Sequence, residues 1–271
     1  MKSLRLPAYF RGRGLLFWLM MLLVIIPGIP FVLASAGFVM YTFWPINLDR
    51  VEWPEITPTT EHVVLISHGL RDTASSWSAA LAKTLDQRDG TSQVIALDWN
   101  PYSQNALRCS VDGKRIGHRF GEHVANHPGL VSIHLIGHSC GAFINLGVCR
   151  AIKEKRPDVS VQTTYLDAVS IYGGMFWDYG LNNFGACADF SDAYIDTGDD
   201  VPGSNVRLPA AHTFDVTDAR LSSDYAGSPH LWPTVFYRQR AEQGQIPDLA
   251  ISPDLNLRYP VGVLERIDPE H

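Results

Sequence analysis

Gly137-His138-Ser139-Cys140-Gly141 is a G-x-S-x-G pattern set between two apolar runs. Ile133, Leu135 and Ile136 precede it, and Ala142, Phe143, Ile144, Leu146 and Val148 follow with helical spacing. That order predicts a strand, a sharp turn carrying Ser139, and a helix that starts at once. Small residues at 137 and 141 allow the cramped backbone such a turn needs, and a helix N-terminus brings free N–H groups near a developing oxyanion. Glycine and serine also meet in ordinary strand-to-helix loops, so the rest of the chain must supply the serine's partners.

A serine hydroxyl becomes a nucleophile when a base takes its proton and an acid orients that base. Between Ser139 and the terminal His271 the only histidines are His212 and His230. His212 lies in an extended segment, Ala211–Val216, where a histidine is more often structural. His230 lies in Ser228-Pro229-His230-Leu231-Trp232-Pro233, a loop before a helix, and is the stronger candidate for the base. Three carboxylates compete as the acid. Asp167 ends the strand after the serine's strand–helix unit, while Asp199 and Asp200 share a later turn, Thr197–Pro202. The oxyanion hole needs two backbone donors: the N–H of Cys140, directly after the nucleophile, and that of Leu70 in His68-Gly69-Leu70 after an early strand. His68, just before that glycine, is expected to shape the loop, and His138 to pack. His118, His123 and His127 fall on one predicted helix and read as a solvated face. No Cys/His spacing resembles a zinc site, so neither metal nor cofactor is expected.

The elements that must position these residues follow from periodicity. Strands are predicted at His62–Ile66, Val94–Leu97, before Ser139, at Val159–Leu166, Ser191–Ile195 and Ala211–Val216. Helices are predicted at Ala74–Leu85, Ile116–His127, after Ser139, and at Pro233–Gln243. Alternating strands and helices indicate an α/β fold, a mostly parallel sheet covered on both faces, with chemistry gathered at the strands' carboxyl ends. His68-Gly69, Ser139 and Asp167 all fall there.

The first fifty residues belong to a different solvent. No charge occurs from Gly14 to Leu48, and Lys2, Arg5, Arg11 and Arg13 precede that stretch without an acid. Its length suffices for a membrane span of roughly 20 residues, and the basic flank predicts a cytoplasmic tail (1–13), an apolar anchor (14–44), a linker (45–60) and an exported catalytic domain (61–271). The alternative is a cleaved signal peptide with its site near Ala36, in Ala34-Ser35-Ala36. With 22 basic and 28 acidic residues in the chain, four of the bases lie before the anchor, so the exported part carries 18 against 28, or −10. That balance argues against nucleic-acid partners. Of the four cysteines, Cys109 and Cys187 form one possible disulfide, although spacing does not decide it.

Together these segments resemble the pancreatic-lipase-like branch of the α/β-hydrolases. Leu65–Asp72 with Ser76-Trp77 is similar to that family's oxyanion segment, Ile95–Trp99 to its next strand, Gly137–Gly141 to its elbow, and Tyr165-Leu166-Asp167-Ala168 to the segment bearing its acid. Asp192–Thr197, His212–Asp215 and Ser228-Pro229-His230 with Tyr237 follow in the family's order. The resemblance implies an α/β-hydrolase fold, and the apolar anchor predicted before it departs from the family's soluble secreted form. It implies a Ser139–His230–Asp167 triad, an ester or lipid substrate, and no cofactor. Ala168-Val169 replaces the family's Pro-Ala after the aspartate, which leaves Asp199 and Asp200 open. A small-ester esterase or acyltransferase on the same triad, and an inactive hydrolase fold serving as a membrane-bound interaction module, are the other readings.

Overall fold

A computed structural model describes residues 14–48, 51–89, 92–250 and 252–268. The basic residues of the expected cytoplasmic tail (Lys2, Arg5, Arg11 and Arg13) and His271 lie outside the described residues. The chain divides into two compact units between Pro45 and Ile46.

Among the described residues the first unit holds one helix, α1 (Leu15–Phe43), of 29 residues. At about 1.5 Å per residue it spans roughly 43 Å, more than the roughly 30 Å hydrocarbon core of a bilayer. It runs on through Pro27 and Pro30, although each proline lacks the N–H that would bond the carbonyl four residues back, at Leu23 and Ile26. The most apolar stretch of α1 is exposed. By length and composition the helix can serve as a membrane span or a signal sequence, and Ala34-Ser35-Ala36 lies in its interior.

In the second unit, β1 (His62–Ser67), α2 (Trp77–Asp89), β2 (Ser92–Leu97), α3 (Cys109–Ala125), β3 (Ser132–His138), α4 (Ala142–Lys155) and β4 (Ser160–Leu166) alternate in the predicted order. After them come β5 (Phe190–Ile195), β6 (His212–Asp215), α5 (Thr217–Leu221), α6 (Trp232–Glu242), α7 (Leu255–Arg258) and β7 (Leu264–Arg266). The seven strands form one parallel sheet in the order β2-β1-β3-β4-β5-β6-β7. Strand order reverses at β1, whose neighbours are β2 on one side and β3 on the other. The loops leaving β1 and β3 therefore part in opposite directions and open a crevice at their carboxyl ends. This is the α/β-hydrolase arrangement.

Alternate residues of each strand face opposite layers. Leu65, Ile133, Leu135 and Val161 join Ile116 and Phe120 of α3 and Phe143 and Leu146 of α4 in one core. Ile66, Ile136, Leu166 and Tyr194 join Leu81 of α2 and Trp232 and Phe236 of α6 in the other. Two parts of the unit lie beyond the predicted elements. Residues 51–60, expected as part of a tether, lie on the domain: Val51 is buried, Trp53 and Ile56 pack on the core, and the Thr60 hydroxyl donates to Gln93 Oε1 at 2.9 Å. The three-residue β7, exposed throughout, adds a seventh strand to the edge at β6.

Candidate active site

Ser139 follows β3 directly, in a single helical turn (Ser139–Gly141) that leads into α4. Its φ is 55°, a left-handed value that a β-carbon disfavours by about 1–2 kcal/mol. The turn is tight enough to exclude side chains beside it. A Cβ on Gly141 would lie 2.5 Å from Ser67 O, and one on Gly137 2.8 Å from Gly141 O. Among the described residues the other non-glycine residues with positive φ are Arg71, Asp167 and Asn205. All four sit at the carboxyl end of the sheet, where backbone strain marks a constrained site.

The base candidate stands between two acids. His230 lies in a helical turn (Pro229–Leu231) that α6 continues. Its Nδ1 is 3.2 Å from Asp167 Oδ2 and 2.9 Å from Asp199 Oδ2. An Nδ1–H donated to carboxylates leaves Nε2, on the far side of the ring, with the lone pair a general base uses. Asp167 follows β4, and its Oδ1 accepts the Asn205 N–H at 3.1 Å. Asp199 lies in the loop after β5 and accepts from the Ser204 hydroxyl and from the Val201 N–H. Asp200, the third acid candidate, points to solvent. His212, the weaker base candidate, is buried on β6 and bonds Pro260 O and Glu265.

The two carboxylates differ electrically. Burial pushes the Asp167 carboxyl up to about 7, against the pull of His230. Burial also opposes charge on Asp199, but the Ser204 hydroxyl, the His230 charge and the Val201 N–H outweigh it and hold the carboxyl below its ordinary value. Burial disfavours a charged His230 ring, yet the facing carboxylates raise its pKa above the ordinary 6.5. Two carboxylates facing one N–H cannot ionise independently, and Asp199 is the first to carry the charge. Their ligand atoms and that of His230 lie within 4.8 Å of one another, near enough to share a metal ion. The hydroxyl and amide donors already placed on both acids suit carboxylates balanced by an imidazole proton.

Both oxyanion candidates flank the serine. Cys140 is the next residue, and Leu70 follows Gly69, where a Cβ would lie 2.8 Å from Ser139 Cβ. His68 is fully buried and holds this loop to the segment after β2: its carbonyl accepts from Trp99 Nε1 at 3.0 Å and its ring stacks on Trp99. Segment 171–190 is split. Tyr172 stacks on Tyr179 and Phe184 meets Phe143 in the core, whereas Phe176 and Trp177 are exposed at the loop's tip. The disulfide is Cys149–Cys187, tying α4 to that segment, and not Cys109–Cys187. Cys109 begins α3 and, like Cys140, is a buried free thiol. The histidines of the predicted helix part company: His118 faces Glu122 and Glu154, His123 meets the Phe120 ring, and His127, beyond the end of α3, bonds Thr60 O. Sequence reasoning missed that Asp199 joins Asp167 on one nitrogen, because the turn-rich run Thr197–Pro202 hides which of its acids points inward.

No family model and no curated protein sequence matches the chain. Solved structures to which it is similar include a lipase-esterase related protein from Clostridium acetobutylicum ATCC 824, at 13% identity over 70% of this chain and 95% of that one, with a TM-score of 0.40. Another is PytH_H230A, at 24% identity over 41% of each chain and a TM-score of 0.28. With both scores under 0.5, the fold rests on the strand order and the site on its distances.

Proposed function

We propose that this protein is a serine hydrolase of carboxylic esters, with Ser139 as nucleophile and His230 as base. The observation that carries the reading is a strained serine at a strand–helix turn, on the same sheet end as a histidine whose Nδ1 meets two buried carboxylates. Ser139 Oγ attacks the ester carbonyl while His230 Nε2 takes its proton. The imidazolium is stabilised through Nδ1–H by Asp199, with Asp167 beside it. The Leu70 and Cys140 N–H groups receive the oxyanion. Collapse expels the alcohol, which takes the proton from His230 and leaves Ser139 acylated. Water, deprotonated by the same nitrogen, then releases the acid.

A lipid ester is the favoured substrate, as in lipases and phospholipases of the A1 type. The support is the resemblance of the oxyanion, elbow and acid segments to the pancreatic-lipase-like branch, together with an apolar helix suited to hold the domain at a bilayer. The exposed Phe176 and Trp177 are proposed as the rim that meets acyl chains. We place the catalytic domain on the exported side, because Lys2, Arg5, Arg11 and Arg13 precede the charge-free apolar stretch. Release of p-nitrophenol from short- and long-chain acyl esters tests the reading: the wild-type protein hydrolyses them and the Ser139→Ala variant does not. Equal rates from the two proteins would remove the nucleophile.

A further inference from the structure

His138, the residue before the nucleophile, makes contacts that simple packing does not require. It is 4% exposed, and its Nε2 lies 2.9 Å from the backbone oxygen of His230. A carbonyl only accepts, so the ring carries its proton on Nε2 and its lone pair on Nδ1. The ring packs at a 49° tilt against the His230 imidazole, with centroids 4.7 Å apart. The Trp77 ring meets it edge-on at 5.7 Å, and Trp77 is itself held through Nε1 by Asp72 at 3.1 Å. The Nδ1 edge is buried without a hydrogen-bond partner and lies under Gly69, where a Cβ would come within 3.0 Å of it. One ring thus touches the base's side chain, the base's backbone and the oxyanion loop. Its own backbone leads into the serine.

We infer that His138 is a positioning residue: its Nε2–H fixes the backbone of His230, and its ring sets the His230 imidazole and Gly69 relative to Ser139. Burial, followed by the His230 charge, depresses its pKa to about 3, so it stays neutral while His230 takes up a proton. The partners define the substitutions. Gln carries an amide N–H to the place of Nε2, Asn cannot reach it, and Leu fills space without a donor.

This inference rests on the proposed function for its kinetic readout, so the test has a second readout that does not need turnover. In the full-length chain, with p-nitrophenyl esters, His138→Leu and His138→Asn are expected to lower kcat about tenfold or more with KM within about twofold. His138→Gln is expected to stay within about threefold of wild type, the difference being one buried hydrogen bond to the base. In proton NMR spectra the downfield His230 Nδ1–H signal should persist in His138→Gln and shift or broaden in His138→Leu. Wild-type kcat and an unchanged signal in His138→Leu would overturn the inference, as would a His138→Gln protein as impaired as His138→Leu. Absence of any Ser139-dependent turnover in the wild type would count against the hydrolase reading, and the NMR comparison would still decide the role of His138.

Discussion

The two ends of the parallel sheet carry similar residue types and differ in how those residues are held. At the amino end lies a cavity of about 760 Å³, lined by His62, Ser132, His134, Gln162 and Asp189 among others. Its histidines are half-buried and bond to hydroxyls: His62 Nδ1 to Ser132 at 2.8 Å, His134 Nε2 to Thr164 at 2.8 Å. No non-glycine residue there has positive φ among the described residues. At the carboxyl end His230 faces two carboxylates, and the four non-glycine residues with left-handed φ lie in the loops of that end. Cavity volume measures where a ligand could fit. Paired charge and stored backbone strain mark where a proton can be moved, because each costs stability and persists only when its surroundings enforce it.

Removing the paired charge is the harshest test of this contrast. Asp199→Asn is expected to lower kcat about a hundredfold and Asp167→Asn about tenfold. The double variant should lose about ten-thousandfold, the scale on which a triad loses its orienting acid. Steady-state kinetics on one ester at one pH decides it. A single variant as impaired as the double one would assign the role to one carboxylate alone.

Stability sharpens the contrast next. Asp192 lies on β5 between the two ends, fully buried, with Thr164 donating to its Oδ1; burial pushes its pKa up to about 7. A carboxyl raised in the fold binds its proton more tightly folded than unfolded. Its stabilising contribution is therefore complete below about pH 4 and is lost as pH rises through about 7. Asp167 acts in the same window. His138, depressed to about 3, acts in the opposite one: its contribution is full above 6.5 and declines as pH falls toward 3. Thermal unfolding should show Tm falling from pH 5 to pH 8 in the wild type and falling less in Asp192→Asn. An equal fall in both would show that Asp192 does not hold its proton.

The smallest effect is expected at the amino end. His62→Gln and His134→Gln should leave kcat within about twofold of wild type, since surface or hydroxyl-bonded positions remote from the reacting atoms contribute little to the transition state. A loss of tenfold or more in either variant would mean that the large cavity takes part in the reaction.

How much of this was legible in the sequence depended on how local each feature is. The turn at Ser139 was readable because its glycines, its preceding strand and its following helix are neighbours in the chain. The order of β1 to β6 was readable because buried parallel strands form apolar runs. His230 could be picked from two histidines by its loop setting. Pairings between distant segments were not readable. Cys149 rather than Cys109 meets Cys187 because α4 packs beside the segment after β4, a tertiary fact that spacing does not encode. Asp199 reaches His230 only because the loop after β5 turns back under Ser204 and Asn205. The three exposed residues of β7 carry no apolar run to betray a strand.

Labelling by a fluorophosphonate probe tests most directly whether Ser139 is an activated nucleophile. Folded wild-type protein is expected to take up one phosphonyl group, mapped by peptide mass spectrometry to Ser139, with Ser139→Ala unlabelled and His230→Ala labelled far more slowly. An unlabelled wild type, or the same labelling rate after loss of His230, would contradict the account.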